Sequence, residues 1–208
     1  MSCVEAVVRR RGDETGGARR AVFIDRDGTI SEEVGYVNHV SRYQVFPFAA
    51  EAVRSLNAAG WLAILVTNQA GVARGYFKEE LVGEVHKVLT DELERGGARL
   101  DAIYYCPHHP NVGEPPYRFD CDCRKPRPGL IHRAAADFRL DLARCWMVGD
   151  RYGDTELARN AGVRSAFVLT GYGRGELEHQ QHAWRHRPDI VAENLLEAVR
   201  EIVKRSDE

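Results

Sequence analysis

The sequence has no strong bias of charge, no long apolar run and no cysteine framework, and each lack removes a class of function. Lys and Arg number 29 against 31 Asp and Glu, for a formal net charge of -2 and a pI of ≈ 6.5. Nothing therefore pulls the chain as a whole toward nucleic acid or an anionic membrane, and any anionic ligand must be held by local positive groups. No apolar stretch approaches the roughly 18 residues of a membrane span. Residues 1–20 lack the apolar segment of a signal peptide, so the chain reads as cytoplasmic, with neither a membrane nor a nucleic acid as partner. In that compartment five cysteines do not read as a disulfide framework. Residues 1–20 also contain no aromatic side chain, which leaves Arg9, Arg10, Arg11, Arg19 and Arg20 without a surface for stacking on bases. With Gly12, Gly16 and Gly17 among them, these residues read as a flexible leader. The remainder, 21–205, has the length of a single α/β domain, and no internal repeat is evident.

What is present centres on Ala21-Val22-Phe23-Ile24-Asp25-Arg26-Asp27-Gly28-Thr29-Ile30. Four apolar residues running into two aspartates and a glycine predict a buried parallel strand that ends in a polar loop, the place where such sheets collect ligands. Helix period over Ala49–Ala59 stops at Gly60, and Ala63–Thr67 reads as a second buried strand leading to Asn68-Gln69-Ala70-Gly71. Lys78–Arg95 predicts an amphipathic helix with Leu81, Val85, Val88, Leu89 and Leu93 on one face. His86 reads there as an ordinary surface or flank histidine. Strands follow at 102–105, 146–150, 165–169 and 189–192, with helices at 129–140, from Asp154 to Gly162, and at 195–204. Strands alternating with helices at this spacing give an α/β fold with a mostly parallel, Rossmann-like sheet and helices on both faces.

Residues 106–128 break the pattern, with Cys106-Pro107-His108-His109-Pro110, Pro115-Pro116 and Cys121-Asp122-Cys123-Arg124-Lys125-Pro126. A loop this long inside a compact domain is functional or is held by something other than a core. Strand and loop ends then share one theme: Asp25 and Asp27, Thr67 and Asn68, Arg124 and Lys125, and Asp150. Acids for a divalent metal, a hydroxyl and an amide as donors and a fixed ammonium are what surrounds a transferring phosphoryl group.

These blocks resemble the haloacid dehalogenase superfamily of phosphatases, through Asp25-Arg26-Asp27-Gly28-Thr29, Val66-Thr67-Asn68, Lys125 and Gly149-Asp150 followed by Asp154. More narrowly, Gly35-Tyr36-Val37, Thr67-Asn68-Gln69 with Gly71 and the two cysteine segments are similar to those of heptose 1,7-bisphosphate 7-phosphatases. The resemblance implies a compact fold with no large cap domain, Mg²⁺ in catalysis and Zn²⁺ in a loop insertion. It implies that Asp25 is the nucleophile that forms an aspartyl-phosphate, that Asp27 carries the proton, and that Thr67 and Lys125 hold the phosphoryl oxygens. Mg²⁺ would sit on Asp25, Asp150 and the backbone carbonyl of Asp27. Glu33, Val34, Gly35, Tyr36, Asn68, Gln69, Ala70, Arg124 and Arg151 align with the substrate contacts of the family. Position 151 is often lysine there, so Arg151 keeps the charge and changes the geometry. Asp154, just ahead of a helix, reads as a cap and is left out of the metal set.

The cysteine loop, 106–123, has a plain reading as thiols without a ligand. Against it, Cys106-x-His108 and Cys121-x-Cys123 supply three thiolates and an imidazole, the closed tetrahedral set of structural zinc. The choice of His108 over His109 follows from the resemblance. Because Arg124 and Lys125 follow Cys123 directly, a zinc here would fix two cations beside the phosphate. Cys145, at the start of a strand, reads as a small buried hydrophobe.

The reading is a Mg²⁺-dependent phosphatase that acts, as a monomer, on a small sugar bisphosphate in nucleotide-activated heptose synthesis, for lipopolysaccharide core or a related glycan. The alternatives are a histidinol-phosphate phosphatase, which would share the acids and the zinc loop, and a non-catalytic binding module. Intact Asp25, Asp27, Lys125 and Asp150 count against the latter.

Overall fold

The computed structural model describes residues 4–8 and 17–205. Its strands are β1 (Val4–Val8), β2 (Ala21–Ile24), β3 (Leu62–Asn68), β4 (Ala102–Cys106), β5 (Trp146–Gly149), β6 (Arg164–Val168) and β7 (Ile190–Ala192). They form one sheet in the order β1-β4-β3-β2-β5-β6-β7. Strands β2 to β7 are all parallel, and β1 pairs antiparallel with β4 at one edge. Part of the leader therefore departs from the expectation of a flexible arm, with Val4 opposite Tyr105 and Val8 opposite Ala102. The rest of that expectation, over 1–3 and 9–16, lies outside the described residues.

Alternation along the strands divides the core into two layers, as the period of two requires. Val22, Ile24, Leu65, Ile103 and Val148 face helices α1 (Ala49–Ala58), α2 (Glu79–Arg95) and α6 (Leu195–Lys204). Ala21, Phe23, Ile64, Val66, Tyr104 and Met147 face α3 (Gly129–Phe138) and α4 (Tyr152–Ala161). These strands read as continuous apolar runs because both of their faces are covered. Among the described residues no separate cap domain stands over the sheet, and β2 runs to α1 through a loop with a short 3-10 turn at Val40–Arg42.

Three local departures from the sequence reading have physical causes. The buried face of α2 is Val82, Val85, His86, Leu89 and Leu93, so the stripe is rotated away from Leu81 and Val88, which are only partly buried. His86 is thus a core residue at 2% exposure and not a surface one. Helix α3 ends at Phe138 because Arg139 takes the left-handed conformation at φ 53. Helix α5 (Gly173–Gln180) is additional to the elements read from sequence, and buries only Gly173 and Glu176. With no apolar stripe it gives no helical period.

Strand order reverses at β2, which has β3 on one side and β5 on the other. A ligand crevice belongs outside the carboxyl ends of the strands at such a point, and Asp25 is the first residue beyond β2.

Candidate active site

Asp25 extends the ladder by donating its N–H to the Val148 carbonyl at 2.9 Å, which fixes the start of the loop after β2. Its Oδ1 accepts from the Arg26 N–H at 2.7 Å and lies 2.7 Å from Lys125 Nζ. Lys125 Nζ also donates to Asp154 Oδ1 at 2.8 Å, so one ammonium ties two carboxylates. Asp150 lies beside them, fully buried, accepting the Tyr172 N–H on Oδ2 at 2.9 Å. Asp25, Asp150 and Asp154 each bring a carboxylate oxygen within 4.8 Å of the others. Gly28 makes this packing possible: it sits at φ +79, and a Cβ there would overlap the Asp150 carboxylate.

Three acids with one ammonium leave the cluster short of positive charge. Burial pushes the Asp25 carboxyl up to about 7, with Lys125 opposing and Asp154 and Asp27 adding to the rise. Burial likewise pushes Asp150 up to about 8, helped by Asp25 and Asp154. For Lys125 burial acts downward, but Asp154 and Asp25 outweigh it and hold the ammonium above the usual lysine value. Hard carboxylate oxygens with a deficit of positive charge suit a hard divalent cation such as Mg²⁺. Asp154 is both what its place in the sequence indicated and more than that. Its Oδ2 accepts the Arg151 N–H at the head of α4, while its Oδ1 belongs to the charged cluster.

Asp27 points to a different set of partners. Arg26 grips it twice, Nε to Oδ1 at 3.0 Å and Nη2 to Oδ2 at 2.9 Å. Gln69 bridges the two, accepting from Arg26 Nη2 at 2.9 Å and donating to Asp27 Oδ2 at 3.0 Å. Gln69 Nε2 also donates to Thr67 Oγ1 at 2.9 Å, which leaves the Thr67 hydroxyl proton for another acceptor. Arg26 is 1% exposed, with His86 Nε2 3.5 Å from its Nη1 and the Tyr43 ring 5.5 Å from its guanidinium carbon. Burial, and secondarily Arg26, push the His86 pKa well below the usual value, so this ring is neutral and can accept from the arginine. Arg26 and His86 were not anticipated as parts of the site. The adjacency of Arg26 to two acids was the only signal available for either.

The crevice over these groups has a volume of about 460 Å³ and is lined by Asp25, Asp27, Glu33, Gly35, Tyr36, Thr67, Asn68, Ala70, Arg124, Lys125, Arg151, Gly153, Asp154 and Tyr172. Most residues expected from the sequence are therefore together. Three are set back from the lining, the first being Asp150, which is fully buried beside Asp25. Val34 packs against the core, and Gln69 is buried beneath Asp27. Asn68 grips the backbone of Lys125, and Arg124 Nη1 donates to the His108 carbonyl at 3.2 Å.

Cys106, His108, Cys121 and Cys123 form a second buried cluster. Their Sγ–Sγ separations are 3.5 Å for Cys106–Cys121 and 3.3 Å for Cys121–Cys123, and His108 Nδ1 lies 3.8 and 3.7 Å from the sulfurs of Cys106 and Cys123. The edge of a tetrahedron with Zn–S bonds of ≈ 2.3 Å is about 3.8 Å, so the set fits zinc closely. Cys106 and Cys121 are free thiols. Cys145 is buried, and its sulfur accepts the Ala21 N–H at 3.3 Å, as suits a structural thiol. Among the described residues no helix is long and apolar enough to cross a membrane.

The chain is similar to known proteins along most of its length. Residues 122–198 match the family model of HAD-hydrolase-like proteins. The chain is 45% identical over 186 residues to a D-glycero-D-manno-heptose-1,7-bisphosphate 7-phosphatase of Thermosynechococcus vestitus, covering 87% of this chain and 94% of that one. It is 41% identical over 182 residues to the D-glycero-beta-D-manno-heptose-1,7-bisphosphate 7-phosphatase of Haemophilus ducreyi, covering 87% and 97%. The D,D-heptose 1,7-bisphosphate phosphatase of B. bronchiseptica, solved with magnesium and phosphate, superposes with a TM-score of 0.79 at 30% identity, over 90% of this chain and 99% of that one. By kinship at this level, and with the acids beyond β2 and β5 meeting Lys125, the chain belongs to the heptose-1,7-bisphosphate 7-phosphatase family of haloacid dehalogenase-like hydrolases and is a phosphoric monoester hydrolase.

Proposed function

We propose that this phosphatase removes the 7-phosphate of D-glycero-D-manno-heptose 1,7-bisphosphate through an aspartyl-phosphate, within the synthesis of nucleotide-activated heptose for a surface glycan. The observation that carries the chemistry is the Lys125 ammonium bonded to both Asp25 and Asp154 over buried Asp150. Asp25 supplies a carboxylate oxygen to phosphorus as the bond from phosphorus to the sugar oxygen breaks, and Asp27 gives that oxygen its proton. Asp27 then takes a proton from water, which attacks phosphorus and frees Asp25 and inorganic phosphate. Lys125 and the Thr67 hydroxyl hold the phosphoryl oxygens throughout. Mg²⁺, held by Asp25, Asp150 and the Asp27 carbonyl, would offset the repulsion between a carboxylate and a phosphate. Arg26 and Gln69 aim Asp27, and the zinc cluster fixes the loop that delivers Arg124 and Lys125.

Arg124 and Arg151 are cations beyond those that hold the reacting phosphate, and both line the crevice, which supports a second anionic group on the substrate. Glu33, Gly35, Tyr36 and Ala70 would contact the sugar. The chain is read here as a monomer with a single phosphatase domain over 21–205. The test is steady-state phosphate release over a panel of sugar mono- and bisphosphates and histidinol phosphate, with the position of cleavage followed by phosphorus NMR. Loss of the 7-phosphate first, with a kcat/KM for the bisphosphate about tenfold or more above that for the 7-phosphate, is expected. A preference for histidinol phosphate would replace the assignment.

A further inference from the structure

Glu176 lies on α5 and is absent from the crevice lining, yet it is a carboxylate only 7% exposed. A buried carboxylate needs partners, and Glu176 has two. Oε2 accepts the Tyr152 N–H at 2.7 Å in the first turn of α4, where free backbone N–H groups favour negative charge. Oε1 accepts from Arg151 Nε at 3.2 Å. The guanidinium carbon of Arg151 stands 4.3 Å over the Tyr172 ring. The guanidinium is thus fixed on one edge and one face. Its Nη1 and Nη2 make no hydrogen bond among the described residues, although Glu33 is close enough to feel its charge; its side chain is 54% exposed, and both Arg151 and Tyr172 line the crevice.

We infer that Glu176 is a positioning residue that, with Tyr172, holds Arg151 as a preformed two-pronged receptor for the second phosphate of the substrate, and so sets the preference for a bisphosphate without touching it. This rests on the substrate reading above. The device is particular to arginine: a lysine ammonium is a point charge and cannot be oriented by one hydrogen bond and a stacked ring while keeping a planar donor edge free. Ordering Arg151 before the ligand arrives spares the entropy cost of fixing a long side chain on binding.

The competing role for Glu176, that of a mere counter-ion to Arg151, predicts the opposite sign. Removing a counter-ion makes the crevice more positive and lowers KM for the bisphosphate. Removing a positioning residue loosens Arg151 and raises it. The experiment is steady-state kinetics on heptose 1,7-bisphosphate and heptose 7-phosphate with the wild type, Glu176→Ala, Glu176→Gln, Arg151→Ala and the double variant Arg151→Ala/Glu176→Ala. For Glu176→Ala we expect KM for the bisphosphate to rise about tenfold, with kcat within about twofold and a much smaller rise on the 7-phosphate. Glu176→Gln keeps one acceptor oxygen and should fall between, and it carries the test if thermal melting shows that the alanine variant folds poorly. In the Arg151→Ala background the Glu176 substitution should add nothing. A bisphosphate KM that is unchanged or lowered, an equal rise on both substrates, or a full additional loss in the double variant overturns the proposal. A wild type that shows no bisphosphate preference overturns the substrate reading, and that failure is visible before any variant is made.

Discussion

Asn68 holds Lys125 by both ends of its amide: Nδ2 donates to the Lys125 carbonyl at 3.2 Å and Oδ1 accepts the Lys125 N–H at 3.1 Å. The end of β3 thereby fixes the backbone that carries the ammonium to Asp25. Asn68→Ala should lower kcat/KM by tenfold or more, ~1.4 kcal/mol for losing two hydrogen bonds that position a charge. Magnesium affinity should hardly move, since no acid of the cluster is touched. A titration of activity against magnesium separates the two effects, and an unchanged kcat/KM would remove Asn68 from the positioning machinery.

Asp25→Asn should abolish turnover because the attacking oxygen is lost. Asp27→Asn should also abolish it but should allow phosphoenzyme to form from a substrate with a good leaving group, since Asp25 and Lys125 are intact. Mass spectrometry of rapidly quenched protein reads the difference. Near-normal activity in pure Asp25→Asn protein would falsify the covalent route.

The acid cluster makes a prediction about pH. Both Asp25, at about 7, and Asp150, at about 8, titrate above the unfolded carboxyl value of roughly 3.9. Between those limits the folded protein binds more protons than the unfolded chain, so metal-free stability is present at low pH and is lost as pH rises toward 8. Magnesium competes with those protons and should bind more tightly over the same range. Melting temperatures in chelator should therefore fall between pH 5.5 and 8, and the increase caused by magnesium should be larger at pH 8. A chelated protein that grows more stable over that interval would contradict the cause assigned to these shifts.

For the thiolate cluster, protein prepared under reducing conditions without chelator should contain close to one zinc, retained when magnesium is removed by a weak chelator. Cys121→Ser should lower stability and activity together, because the loop that bears Arg124 and Lys125 loses its anchor. Elemental analysis that finds no zinc in fully active reduced protein would end the assignment.

Much of the fold was legible because its strands are buried on both faces and its main helices carry apolar stripes. What escaped did so for identifiable reasons. Helix α5 has no stripe to read, and Glu176, its most informative residue, looks in sequence like any solvated acid. Strand β1 is a five-residue edge strand followed at once by Arg9-Arg10-Arg11-Gly12, which hides its short apolar run. His86 occupies an apolar slot of α2 as a polar residue, and its reason for being there, Arg26, lies 60 positions earlier in the chain. Arg26 itself stands between two aspartates, and nothing local says that its guanidinium turns inward to grip one of them. The acids, Thr67, Lys125 and the cysteine loop were legible because their chemistry admits few substitutes, whereas the groups that hold them in place are chosen by distance in space.

Asn68 and Cys106 are partners on adjacent strands, and the Gln69 N–H donates to the Cys106 carbonyl at 2.7 Å. The segment that aims the proton carrier and the segment that would bind zinc thus leave the sheet from a single rung. The Gln69 amide is, in effect, a built-in gauge. Its exchange with deuterium should be slow in zinc-loaded protein and quicken when zinc is stripped, so that the state of one metal can be read at the edge of the other metal's site without any substrate being turned over.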